Sequence, residues 1–288
     1  MIDRLEHRLI GVNGIRLHLV QAGDKDGPLV ILLHGFPEFW YGFRRQISSL
    51  AKGGYRVWCP DQRGYNLSEK PEGVTSYGLD HLAGDVLALI EGAGEKKAFL
   101  IGHDWGAVVA WYLAMQYPRH SRAVVAINGP HPGIMHRVIR NSFSQMIRSS
   151  YALAFQIPRL PETIMRLGNW WGMVQSMEKS SRPETFSPKD FVFYREAWGR
   201  EGAITAMLNW YRAFFRAPPR FSPEAIKVPL MLIWGARDQF LTTEVARASI
   251  EQCEGGRLVM LPDATHWVHH EEPELVNRLI VQFLGGIV

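Results

Sequence analysis

The sequence predicts an α/β fold: a mostly parallel central sheet covered by helices, with a helical cap inserted late in the chain. Three observations predict it. Short apolar runs alternate with helix-patterned stretches up to residue 127, and again from 228 to 284. The stretch Gly102-His103-Asp104-Trp105-Gly106 joins an apolar run to a helix and demands a sharp turn, which its glycines permit. Between 132 and 217 no strand pattern occurs, only helical segments, Pro/Gly breaks and many aromatics.

The elements follow in order. Residues 7–12 and 15–21 are strand-like runs joined at Asn13-Gly14, a strong hairpin signal. The continuous apolar run Leu29 to Leu33 fits a central strand. A helix is predicted from about Phe39 to Leu50, then a strand from Tyr55 to Cys59. Residues 79–92 read as a helix with Leu82, Val86, Leu89 and Ile90 on one face. Strand 97–101 feeds the Gly102–Gly106 turn and a helix over 107–115, followed by a strand over 122–127. After the insertion the alternation resumes: strand 228–234, helix 243–252, strand 257–261, helix 273–284. The core is expected at 1–131 and 218–288 and the cap at 132–217, with Pro218-Pro219 as the return linker.

Composition narrows the function classes. The chain has 288 residues, 47% hydrophobic and 21% charged, ordinary for a globular protein with a large core. A net charge of +4 without blocks of like charge does not suggest a nucleic-acid partner, and none is expected. The pI of about 9.1 bears on solubility rather than fold. Two cysteines, Cys59 and Cys253, make no disulfide framework, so a reducing cytoplasm is expected. Met1 to Arg8 is charged, without the apolar core of a signal peptide. The longest apolar run, Trp105 to Met115, is too short to span a bilayer, and no membrane partner is expected.

Chemistry concentrates at strand ends, where open parallel sheets place their sites. Asp104 sits at the turn after one strand, Asp238 follows Gly235-Ala236-Arg237 after another, and His266 follows the strand at 257–261. A nucleophile needs a base, and the base a group to orient it. Taken alone, each is an ordinary turn or surface residue. Their order and their element junctions together point to a nucleophile–acid–His set of Asp104, Asp238 and His266. His269 and His270 read as surface residues ahead of the last helix. His34-Gly35-Phe36-Pro37 follows an early strand, where the backbone N–H of Phe36, with that of Trp105, would form an oxyanion hole. His34 and His103 read as structural hydrogen-bonding groups. No metal-ligand spacing occurs, and no cofactor is expected.

An Asp nucleophile separates this site from ester hydrolysis. Attack on a carbonyl would give an anhydride, whereas attack on a saturated carbon gives an alkyl ester of Asp104 that water can cleave. The leaving group is then a halide or an epoxide oxygen.

The chain resembles the epoxide hydrolases of the α/β-hydrolase fold along nearly its whole length. The resemblance rests on His34-Gly35-Phe36-Pro37-Glu38, Asp61-Gln62-Arg63-Gly64-Tyr65, Gly102-His103-Asp104-Trp105-Gly106-Ala107, Asn128-Gly129-Pro130-His131-Pro132, Trp234-Gly235-Ala236-Arg237-Asp238 and His266-Trp267. It implies two cap tyrosines that protonate the epoxide oxygen: Tyr211 of Asn209-Trp210-Tyr211-Arg212, and Tyr151 ahead of Phe155-Gln156. It also implies the conversion of a small hydrophobic epoxide and water to a vicinal diol. The cavity walls are expected to include Phe36, Trp105, Trp170 and Trp171, in a monomer or homodimer. Haloalkane dehalogenases are similar too. Many carry Asn after His-Gly, where Phe36 stands here, and the fluoroacetate type carries Arg where Trp105 stands. A ligand-binding protein with a vestigial triad is the remaining alternative.

Overall fold

A computed structural model describes residues 5–217, 221 and 224–287, apart from the side chains of 136 and 139–141. Residues 1–4 of the charged N-terminus and the linker expected at Pro218-Pro219 lie outside them.

The hairpin β1 (Glu6–Val12) and β2 (Ile15–Gly23) turns at Asn13-Gly14, both with positive φ. The sheet continues with β3 (Leu29–Leu33), β4 (Arg56–Pro60), β5 (Ala98–His103), β6 (Ser121–Ile127), β7 (Leu230–Gly235) and β8 (Arg257–Leu261). The strand order is β1-β2-β4-β3-β5-β6-β7-β8. β1 and β2 pair antiparallel with their neighbours and the rest are parallel.

The central strands are apolar on both faces because both are covered. Leu29, Ile31 and Leu33 face one core with Leu100, while Val30 and Leu32 face the other with Phe99 and Ile101. The first core packs on α2 (Leu79–Gly92), α3 (Trp105–Gln116) and α10 (Thr243–Ile250). The second packs on α1 (Arg44–Lys52) and α12 (Pro273–Gly285), with the short α11 (Val268–Glu271) leading into α12.

Between β6 and β7 run α4 (Pro132–Asn141), α5 (Phe143–Arg148), α6 (Ser150–Ala154), α7 (Leu160–Ser180), α8 (Pro188–Gly199) and α9 (Ala203–Arg216). α7 breaks at Leu167, and Gly168, Asn169 and Trp170 all adopt left-handed conformations. Buried Arg212 ties these helices together. It pairs with Glu162 at 2.7 Å and donates to the carbonyls of Phe155 and Ile157. Trp198 and Trp210 donate their indole N–H groups to the carbonyls of Pro37 and Arg63, which holds the cap over the ends of the strands.

Candidate active site

Asp104 stands between β5 and α3 with φ 51° and ψ −120°. The strain of the turn therefore rests on Asp104, and the glycines serve close approach instead. A Cβ on Gly106 would lie 1.8 Å from the Leu33 carbonyl oxygen, and one on Gly102 would lie 2.3 Å from Gly106. A Cβ on Gly35 would lie 2.4 Å from that of Asp104. These contacts seat the Asp104 carboxylate against the loop after β3. There the Phe36 N–H donates to Oδ1 at 2.8 Å, and the Trp105 N–H is a second donor.

His266, from the loop after β8, places Nε2 3.7 Å from Asp104 Oδ2. Its Nδ1 lies 2.7 Å from Asp238 Oδ2. Asp238 is fixed by three donors from two loops: the Asn128 side chain at 2.7 Å, and the backbone N–H groups of Phe240 and Leu241 at 2.7 and 3.0 Å. Burial pushes the Asp238 pKa up, but His266 and these donors outweigh it and hold it low. Burial alone would lower the His266 pKa. The Asp238 carboxylate, its hydrogen bond and Asp104 together raise it to about 9. Burial raises the Asp104 pKa, opposed by His266, His103 and the two backbone donors.

Tyr151 on α6 and Tyr211 on α9 approach each other with ring centroids 6.1 Å apart. Tyr211 is boxed edge-on by Phe36, Trp105 and Phe155. Burial, followed by Asp104 for Tyr151 and by Tyr151 and Asp104 for Tyr211, pushes both phenols up, so both keep their protons at neutral pH. Asp104, His266, Tyr151 and Tyr211 all line one cavity of about 360 Å³, whose remaining walls are largely apolar. Phe36 lines it too, while Trp105 lines a smaller cavity of about 70 Å³ that shares Asp104 and both tyrosines.

Three expectations need correction. Trp171 is 63% exposed and lines neither cavity, because the left-handed break in α7 turns it outward. Trp170 is buried against Trp198, and Met173 and Met177 on the next turns supply the wall instead. His269 and His270 are buried. They surround the carboxylate of Glu38, whose oxygens lie 2.7 Å from His270 Nε2, 3.3 Å from His269 Nε2 and 3.1 Å from His103 Nδ1. Burial pushes the Glu38 carboxyl up, but His270, followed by the nearby rings of His103 and His269, holds it well below the carboxylate range. Glu38, His269 and His270 bring ligand atoms within 4.8 Å of one another, which is the spacing a metal needs. However, Tyr194 also donates to this carboxylate at 2.7 Å, and Arg44 Nη1 lies 3.5 Å from His270 Nδ1. The hydrogen bonds from Tyr194 and His270 both fall on Oε1, while Oε2 faces His103 Nδ1 and His269 Nε2 without a hydrogen-bond partner among the described residues.

Sequence reasoning missed Asn128 and Phe240 as supports of Asp238. Asn128 has positive φ, and its side-chain oxygen also accepts the Gly235 N–H at 2.9 Å. An Asn just past the end of a buried strand was the available signal.

A sequence profile described as alpha/beta hydrolase fold matches residues 28–273. The chain belongs to that family. A Bacillus subtilis AB hydrolase superfamily protein, YfhM, is 44% identical over 98% of this chain and 99% of its own length. Mouse epoxide hydrolase 4 is 36% identical over 94% of this chain and 77% of its own. A crystal structure of a Bacillus megaterium epoxide hydrolase in complex with an inhibitor superposes with a TM-score of 0.87 at 32% identity, covering 96% of this chain and all of that one. With these relatives, the chain is an enzyme of the epoxide-hydrolase type. Among the described residues no helix is long and apolar enough to cross a membrane.

Proposed function

We propose that this enzyme hydrolyses a small apolar epoxide to a vicinal diol through a covalent ester on Asp104. One observation carries the reading. A single apolar cavity brings together a carboxylate, a histidine held by a second carboxylate, and two protonated phenols. An Asp104 oxygen attacks an epoxide carbon and the C–O bond breaks. The departing oxygen takes a proton from Tyr211 or Tyr151. His266 gives its proton to the tyrosinate that ring opening leaves and then removes a proton from water. The hydroxide attacks the ester carbonyl of Asp104, the bond to the diol oxygen breaks, and that oxygen takes the proton of the new carboxyl group. The Phe36 and Trp105 N–H groups, already donating to this carboxylate, hold the oxyanion until the diol leaves. Alkylation removes the Asp104 charge, one of the influences that raise the His266 pKa, so the ring becomes a competent base when it is needed.

In this reading residues 132–217 act as the cap and the remainder as the core. Both cysteines are free, which supports a cytoplasmic setting. The test is a single turnover of styrene oxide in H₂¹⁸O with enzyme in excess. The diol should carry unlabelled oxygen, and the heavy atom should appear in the peptide containing Asp104. Asp104→Asn should form no diol, and Tyr211→Phe should be slower by about 10²-fold or more. Label going directly into the diol, or halide release from chloroalkanes with no diol from any epoxide, would overturn the reading.

A further inference from the structure

The outer face of the cap carries an apolar stripe that the described chain leaves uncovered. Before its break, α7 exposes Leu160, Ile164 and Leu167 at 50%, 54% and 62%. Their spacing of four and three residues sets them on one side of the helix. The left-handed turn at 168–170 then delivers Trp171 to solvent, and Ile157 lies exposed just ahead of the helix. Single exposed apolar residues are ordinary on a protein surface, but five of them in this short stretch form a patch that calls for an occupant.

Charge and position select the occupant. From 153 to 177 the ionisable residues are Arg159, Glu162 and Arg166. Glu162 is buried in its pair with Arg212, so this stretch of the chain shows solvent two cations and no anion. Ile164 is at once half-exposed and a wall residue of the 360 Å³ cavity, so that cavity reaches the surface at this face. A second copy of the chain on a two-fold axis would bring the same two cations, and no opposite charge from this stretch, to the contact.

We propose that this face docks on an anionic lipid surface. Leu160, Leu167 and Trp171 enter the acyl boundary, and Arg159 and Arg166 lie at the phosphates. The cavity then opens towards the phase in which apolar molecules dissolve. The sequence lacks a bilayer-spanning run, but surface docking does not require one.

The test is co-sedimentation with vesicles of phosphatidylcholine and phosphatidylglycerol, compared with phosphatidylcholine alone. Lipid binding is the readout, so the result is independent of the epoxide reading. Wild type should bind the anionic vesicles, less at about 0.5 M salt. Leu167→Glu/Trp171→Glu should lose binding about tenfold or more, and Arg159→Gln/Arg166→Gln several-fold. Melting temperatures verify that both variants fold, and the exposed arginine pair is the milder change. Absence of binding at about 1 mM lipid, or binding that neither variant alters, overturns the proposal. So does a wild-type dimer in light scattering that the glutamate variant converts to monomer without any vesicle binding, since a second copy then covers the face.

Discussion

His266 holds its proton because two carboxylates face it, Asp238 at 2.7 Å and Asp104 at 3.7 Å. Asp104→Asn removes one of these charges and leaves the shape, so the His266 pKa should fall below about 9. Histidine-resolved NMR titration of wild type and variant measures this, and an unchanged value would detach Asp104 from His266. Asp104, Asp238 and His266 were legible because each falls just past a strand in a fixed order. Asn128 was not, because its partner Asp238 lies 110 residues away and an Asn after a strand is an ordinary turn residue. Asn128→Ala removes one of the donors to the buried Asp238 carboxylate and takes from the Gly235 N–H its side-chain acceptor, the latter at a cost of about 1–3 kcal/mol. Turnover should fall about tenfold or more while KM stays nearly constant, since Asn128 lines neither cavity. A change in KM alone would argue for a role in ligand binding.

At the scale of elements, β3 and α3 nearly touch at the nucleophile turn. The Gly106 position is closed by the Leu33 carbonyl oxygen, which would stand 1.8 Å from an added methyl carbon. Gly106→Ala must push the start of α3 away from β3, with a cost above about 3 kcal/mol. Gly199→Ala meets nothing within 4 Å and should leave the melting temperature nearly unchanged. Equal melting temperatures for the two variants would show that the turn tolerates a side chain. Strand and helix types were legible because apolar periodicity reports the faces that are covered. Boundaries were less so. The helix expected from Phe39 opens instead as a 3-10 turn at Trp40–Phe43, and α1 begins at Arg44, with no side-chain cap to mark its start. The break in α7 left no Pro in the sequence, and it decides that Trp170 packs inward while Trp171 faces out.

Across the whole molecule, the site exists only where the cap meets the core, and those contacts bridge residues far apart in the chain. The burial of His269 and His270 was illegible for this reason: their carboxylate partner, Glu38, is more than 230 residues away, in the loop that also carries Phe36. The same loop receives the cap. Tyr194 donates to Glu38, and Trp198 donates to the buried Pro37 carbonyl at 2.6 Å, one residue past the Phe36 donor. Trp198→Phe keeps a ring to stack on Tyr194 but removes the N–H, leaving a buried acceptor without this donor at a cost of about 1–3 kcal/mol. Because the lost bond crosses from cap to core, the loss should fall on cap closure rather than on the sheet. Amide exchange in α8 and α9 should therefore accelerate about five- to a hundredfold, while exchange in β5 stays near its wild-type rate. Equal acceleration in both would mean that cap and core open as one cooperative unit. The cap would then be a fixed wall of the cavity, and ligand would have to enter through the opening at Ile164 rather than by cap opening.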